Sequence, residues 1–186
     1  MQTIFSNFAR KTIKESAMTT LLLVRHGETY DNENQIMQGQ TQGQLNPRGI
    51  EQAQQLAREM AQRDIDAFVA SDLNRAIETC RIIAEPHHAE LITTPLLRER
   101  DWGAFTGRFI PSLKGEPFPA DVESLDALLQ RAQRFIDFVR ERFPGQTVLA
   151  VGHGIINKAI QAQFFCKQMR EVERMSNAEV RTLMIP

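Results

Sequence analysis

Two histidines and two arginines stand where a sequence can do chemistry. Leu22-Leu23-Val24-Arg25-His26-Gly27 and Leu149-Ala150-Val151-Gly152-His153-Gly154 each lead an apolar run into a histidine followed by glycine. Such runs read as buried strands, and in an open α/β sheet ligands bind beyond the carboxyl ends of the strands. The glycine after each histidine lets backbone approach a ligand closely. A third run, Phe68-Val69-Ala70, passes through Ser71-Asp72-Leu73-Asn74 and delivers Arg75 to the same edge. A guanidinium presents a planar fork that matches phosphate oxygens and stays charged across the useful pH range. The ligand predicted for this cationic crevice is therefore an oxyanion, most simply a phosphoryl group. Taken singly, each element is ordinary: a histidine after a strand is usually a hydrogen-bonded edge residue, and an arginine a solvated charge. Three strand ends supplying His, His, Arg and Arg are not explained by packing.

The surrounding residues resemble a known family. Arg25-His26-Gly27-Glu28-Thr29, with Asn32 seven residues after the arginine, is similar to the signature of the histidine phosphatase superfamily, in its phosphoglycerate mutase-like branch. Gly39, Asn46-Pro47-Arg48-Gly49 and Gln52-Ala53 resemble its loop and first helix. Ser71-Asp72-Leu73-Asn74-Arg75-Ala76 with Thr79 resembles the element carrying the second phosphate arginine. Leu97-Arg98-Glu99 with Trp102-Gly103 and Gly107 resembles the acid-bearing loop, and Glu123-Ser124 the start of the next helix. Val151-Gly152-His153-Gly154 matches the second histidine motif, and Asn177-Ala178-Glu179 the approach to the last strand. The match runs in order from about Met18 to the C-terminus.

This resemblance implies a three-layer α/β sandwich with a mostly parallel central sheet. It also implies His26 as the nucleophile, through a phosphohistidine that splits one displacement into two. Arg25, Arg75 and His153 would hold the phosphoryl oxygens, and Glu99 would protonate the leaving alcohol and later activate water. Thr29, Asn32, Gly39 and the Gly154 N–H are further expected donors or wall residues, and Trp102 either lines the substrate mouth or anchors its loop. No metal and no cofactor are implied. Two departures stand out: Gln42 and Gln44 replace the Asp and Pro common in that loop, and the stretch from Phe105 to Asp121 carries only Arg108 and Lys114 as cations. Mutases carry a longer insert there, with a Lys and paired arginines for the substrate's other end. A metal-independent phosphomonoesterase is therefore expected ahead of a cofactor-dependent phosphoglycerate mutase or a non-catalytic phosphate-binding protein. Gln38, Arg48 and the 100–120 loop are expected to set selectivity.

The elements that must position these residues alternate between strand and helix from Met18 onward. Asn46-Pro47 reads as a helix N-cap and first position, with Ile50, Ala53, Ala57 and Met60 on one apolar face. Leu73 to Ala84 and 155 to 166 read as further helices, and Leu125 to Phe143 as about five amphipathic turns ended by Gly145. Leu91 to Thr94 is a third, weaker strand, and Val180 to Ile185 a last one. Residues 95 to 120 hold four prolines and the only tryptophan, so a long functional loop is expected there. Residues 1 to 17 stand apart as an accessory helix or disordered extension. A single domain is expected over 18 to 186.

Composition narrows the classes. Of 186 residues, 22 are Lys or Arg and 23 Asp or Glu, a net charge of -1 that lacks the basic surplus of a nucleic-acid or acidic-membrane binder. No apolar run approaches the length of a membrane span. Cys80 and Cys166 form neither a disulfide framework nor a CxxC site, which fits a reducing, cytoplasmic setting. His87-His88 has no carboxylate or thiol at ligand spacing and reads as a surface loop. The expected partner is a phosphorylated small molecule. The pattern fixes no oligomeric state.

Overall fold

A computed structural model describes residues 18–87, 89 and 91–186. The extension expected over 1–17 and the second residue of the His87-His88 pair lie outside them. Five strands, β1 (Thr19–Arg25), β2 (Ala67–Ser71), β3 (Leu91–Thr94), β4 (Thr147–Gly152) and β5 (Val180–Ile185), form one sheet in the order β3-β2-β4-β1-β5. All neighbours are parallel except β5, which runs antiparallel to β1 at the edge. The central strands read as unbroken apolar runs because both their faces are covered.

Alternate residues of those runs enter two separate cores. Leu21, Leu23, Val69, Val148 and Ala150 pack against α4 (Leu125–Arg142) and α5 (Gly154–Phe164), through Leu128, Ala132, Phe135, Ile156 and Ile160. Leu22, Val24, Phe68, Ala70, Leu149 and Val151 pack against α2 (Pro47–Met60) and α3 (Asn74–Ala84), through Leu56, Met60, Cys80 and Ile83. The result is the three-layer sandwich that the pattern implies.

The helix starts follow local chemistry. Asn46 Oδ1 accepts the Gly49 N–H at 2.8 Å and Pro47 occupies the first turn of α2, while Ser124 caps α4 through the Ala127 N–H. Gly145, at a φ of 76°, follows the end of α4. Two features differ from the sequence reading. The polar stretch after β1 contains a short helix, α1 (Tyr30–Glu33), held by a reciprocal cap between Thr29 and Asn32. The 95–120 loop is not shapeless, since it contains three 3₁₀ turns at Pro95–Leu97, Gly103–Phe105 and Ile110–Leu113. Proline in the first turn of two of these favours such tight, short pieces. Among the described residues, no helix is long and apolar enough to cross a membrane.

Candidate active site

The sheet order creates the crevice. β1 and β4 are parallel neighbours with Arg25 opposite Gly152, yet β1 leads towards α2 on one face and β4 into α5 on the other. Adjacent strands whose chains part to opposite faces leave an opening at their carboxyl ends. His26 and His153 follow directly, with ring centroids 5.0 Å apart, and the His26 N–H donates to the Gly152 carbonyl at 3.1 Å. Gly27 is demanded by packing: a Cβ there would meet the Gly49 carbonyl oxygen at 2.5 Å.

The proton positions on both rings follow from their partners. His26 Nδ1 lies 2.7 Å from the Gly27 carbonyl oxygen, which can only accept, so Nδ1 carries the proton and Nε2 keeps its lone pair. Arg75 Nε donates to His153 Nδ1 at 3.1 Å, so that ring carries its proton on Nε2 instead. Both rings are held well below the usual imidazole pKa near 6.5. Burial is the largest cause, and the nearby Arg75 and Arg25 charges add to it. The rings are therefore neutral at ordinary pH, one presenting a lone pair and the other an N–H.

The arginines divide their work. Arg75, 1% exposed, enters from the first turn of α3. Besides His153, its Nη2 donates to the Gly39 carbonyl at 2.8 Å, and its Nη1 donates to the carbonyls of Thr41 and Gln42. These bonds engage four of its five N–H groups, leaving one for a ligand. Arg25 Nη1 donates to the Met175 carbonyl at 2.8 Å, while its Nε is buried without a partner, as is His153 Nε2. Two orphaned donors at one crevice are a strong sign of an anionic ligand. Burial lowers both guanidinium pKa values to about 10, with the Arg174 charge the next cause at Arg25, so both remain cations at neutral pH.

Glu99 reaches the crevice from the loop after β3. Its carboxylate accepts the N–H groups of Arg100 at 2.8 Å, Ile155 at 3.1 Å and Ile156 at 3.2 Å, which places it on the N-terminus of α5. The loop itself is pinned by Arg131, 8% exposed. Its guanidinium forms a bidentate pair with Glu123, at 3.0 and 2.7 Å, and donates to the carbonyls of Leu96, Arg98 and Glu99. Arg98 and Asp72, bonded at 2.6 and 2.8 Å, tie the loop to the end of β2.

These groups border a cavity of about 240 Å³. Of the residues singled out in the sequence, Arg25, His26, Asn32, Gly39, Arg75, Glu99 and Trp102 line it, and so does Gln38, whose Oε1 is a buried acceptor without a partner. His153, fully buried with its ring 5.0 Å from that of His26, is not among the lining residues. A Cβ on Gly154 would touch Arg25 Nε, Arg174 Nε and Glu99 Oε2, each at 3.6 Å, so the bare glycine keeps their meeting point open. Thr29, like His153 and Gly154, is not part of the wall; its hydroxyl accepts the Asn32 N–H as the cap of α1. Sequence reasoning missed the apolar wall of Ile36, Met37, Ile110 and Ile155, and it missed Arg174. Arg131 could have been found, since it is a charge on the buried stripe of α4 beside Leu128 and Ala132. Arg174 leaves no such signal in its irregular segment. Among the described residues, no group of three or more His, Cys, Asp or Glu could hold a metal ion.

The family model of the histidine phosphatase superfamily (branch 1) matches residues 21–185, and the chain belongs to that superfamily. It is 35% identical over 153 residues to a probable phosphoglycerate mutase GpmB of Enterobacter sp. (strain 638), covering 74% of this chain and 71% of that protein. It is 31% identical over 183 residues to a metal-independent phosphoserine phosphatase of Arabidopsis thaliana, covering 89% and 76%. Among solved structures, a phosphoserine phosphatase from Entamoeba histolytica in complex with 3-phosphoglyceric acid aligns with a TM-score of 0.79 at 26% identity, over 89% of this chain and 90% of that one.

Proposed function

We propose that the protein is a metal-independent phosphomonoesterase that hydrolyses a small phosphorylated metabolite through a phosphohistidine on His26. The observation that carries this reading is the pairing of tautomers. A neutral ring with a free Nε2 lone pair stands beside a second neutral ring whose Nε2–H has no partner. A phosphoryl group bound by His153 Nε2, Arg25 Nε and the free N–H of Arg75 completes every one of these groups at once.

In the first step, the His26 Nε2 lone pair forms the N–P bond as the P–O ester bond breaks. Positive charge develops on the ring, and the Gly27 carbonyl bonded to Nδ1–H stabilises it. Arg25, Arg75 and His153 offset the charge on the phosphoryl oxygens. The departing alkoxide takes a proton from Glu99, which acts as its carboxylic acid. A phosphomonoester, whose second pKa is near 6, can bring that proton into the site as its monoanion. In the second step a water attacks phosphorus and gives its proton to the Glu99 carboxylate. The N–P bond then breaks and His26 is restored. Both cysteines are free, which fits a reducing compartment such as the cytoplasm.

The test is to quench a reaction with labelled substrate in the presence of a chelator. An acid-labile, base-stable phosphoenzyme should form, and it should be absent in His26→Ala. Label on His153, or on a serine or aspartate, would overturn the assignment. Mutase chemistry is the second reading, supported by the mutase-named relative. Rapid interconversion of phosphoglycerates without phosphate release would establish it instead.

A further inference from the structure

Asn177, in the motif that leads into the last strand, reaches the catalytic crevice from the far end of the chain. Its partners there are fixed by what each atom can donate or accept. A backbone N–H can only donate, so the Asn32 side-chain atom that meets the Thr29 N–H at 3.3 Å is the oxygen. Asn177 Nδ2 then donates to that same Asn32 Oδ1 at 3.3 Å and to the His26 carbonyl at 3.0 Å. Both N–H groups of the Asn177 amide are engaged, on residues 145 and 151 positions away.

The backbone around Asn177 is firmly held. The Ser176 N–H donates to the Glu179 carboxylate at 2.6 Å, and Glu179 Oε1 accepts from Arg181 Nε at 2.8 Å. Arg181 Nη1 continues to Gln161 Oε1 at 2.8 Å, and Gln161 is buried. Met175 is buried too, and its carbonyl holds Arg25. Ala178 sits at a φ of 57°, a left-handed conformation that a residue with a Cβ keeps only where its surroundings over-determine it. Its N–H meets the carbonyls of Arg25 at 2.9 Å and His26 at 3.3 Å. The His26 carbonyl therefore has a donor without Asn177. The cap of α1 is likewise complete between Thr29 and Asn32 alone. Neither backbone need explains the bond from Asn177 to the Asn32 side chain.

We infer that Asn177 is a positioning residue that acts through Asn32, fixing which end of the Asn32 amide faces the phosphoryl group. Asn32 lines the cavity, and its oxygen is occupied by two N–H groups, which leaves its Nδ2 for the ligand. A free amide can present either end, but an oxyanion accepts only from the nitrogen. Turned over, the Asn32 amide would set its oxygen against the phosphoryl oxygens and its N–H groups against two other donors. This inference rests on the reading of the cavity as a phosphoryl site.

A double-mutant cycle on kcat/KM for p-nitrophenyl phosphate tests it. Asn177→Asp keeps the shape and reverses the polarity, so that its carboxylate accepts from Asn32 Nδ2 and turns the Asn32 oxygen towards the ligand. A hydrogen bond to a charged group is worth about 10- to 100-fold, so Asn177→Asp should cost at least about 10-fold more with Asn32 present than in an Asn32→Ala background, where only its charge is felt. Asn177→Leu repeats the cycle without a new charge. It should cost about 3- to 10-fold with Asn32 present and less than about 2-fold without it, the effect of losing one neutral hydrogen bond. Equal costs in the two backgrounds would confine Asn177 to holding the backbone and overturn the inference, as would full activity of Asn177→Asp. Should a melting curve show that Asn177→Asp does not fold, the Leu cycle decides alone. If the wild-type chain does not hydrolyse p-nitrophenyl phosphate, the phosphoryl site falls and the inference with it. If wild type turns over and the costs are equal, only the inference fails.

Discussion

At the floor of the cavity, Arg75 is 1% exposed and its bonds reach His153 and three backbone carbonyls. At the rim, Arg108 and Glu116 bond one another in open solvent, their side chains 41% and 40% exposed. Both are arginines with short contacts, but water weakens only the second. A buried guanidinium must have its partners, and losing one strands a charge in low dielectric, whereas an exposed pair exchanges protein contacts for water at little cost. The floor therefore holds its groups in one geometry, and the rim can vary with the substrate.

The largest expected effect is at the centre of the floor. His26→Ala should lower turnover by about 10⁴-fold or more, as loss of a nucleophile does in other covalent enzymes, with little change in thermal stability. Steady-state kinetics and a melting curve on one sample check both. Retained turnover would mean that another group attacks phosphorus.

Glu99→Gln sharpens the contrast between step and scaffold. For an alkyl phosphate kcat/KM should fall about 10²–10⁴-fold, whereas p-nitrophenyl phosphate, whose phenolate needs no proton, should lose far less. Because Gln keeps an oxygen in place of Oε1, which accepts both the Ile155 and Ile156 N–H groups, the loop should remain in place. Equal losses on both substrates would make Glu99 a positioning residue.

Arg131 belongs with the floor by its physics, although it stands behind the wall. Its side chain and that of Glu123 are 10% and 14% exposed, so Arg131→Met should destabilise the fold by about 3–5 kcal/mol in urea denaturation. It should also lower kcat on alkyl esters more than on aryl ones, because the carbonyls of Leu96, Arg98 and Glu99 lose their common donor. A loss of stability with an unchanged substrate ratio would limit Arg131 to packing.

The neutral histidines give the floor a pH signature. Their folded pKa values lie well below 6.5, so below that pH the unfolded chain binds more protons than the fold. Stability is retained in full above about 6.5 and declines as pH falls towards the folded values. Each ring contributes a slope of about 1.4 kcal/mol per pH unit in that window. Urea titrations between pH 6 and 5 should show a shallower decline for His153→Asn than for wild type. Matching slopes would mean that the ring is already charged in the fold.

The smallest effect is expected at the rim. Arg108→Gln breaks the Glu116 pair and should leave both the melting temperature and turnover on p-nitrophenyl phosphate unchanged. A clear loss of turnover would show that the 105–116 turn closes over substrate.

The central strands were legible because each is covered on both faces and so must be apolar throughout. Asn46-Pro47 and Ser124 marked two helix starts because capping is a local bond between neighbours in sequence. His26, His153 and Arg75 could be placed together because strand ends share an edge. What no local pattern carries is the side-chain partner. Thr29 belongs to a signature yet caps α1, because the nearest unsatisfied N–H was that of Asn32. The proton positions on the two rings depend on a carbonyl one residue away in one case and a guanidinium 78 residues away in the other. Arg174 is the clearest instance. It stands in an irregular segment with no periodicity, and only the packing of Val172 and Met175 brings it beside Arg25. By itself the sequence determined the layers, the catalytic edge and the residue types that reach it, because burial and capping act over a few residues. Tertiary structure alone decided which lone pair is free, which N–H is unpartnered and which cations gather at the cavity. Those depend on distances between residues far apart in the chain.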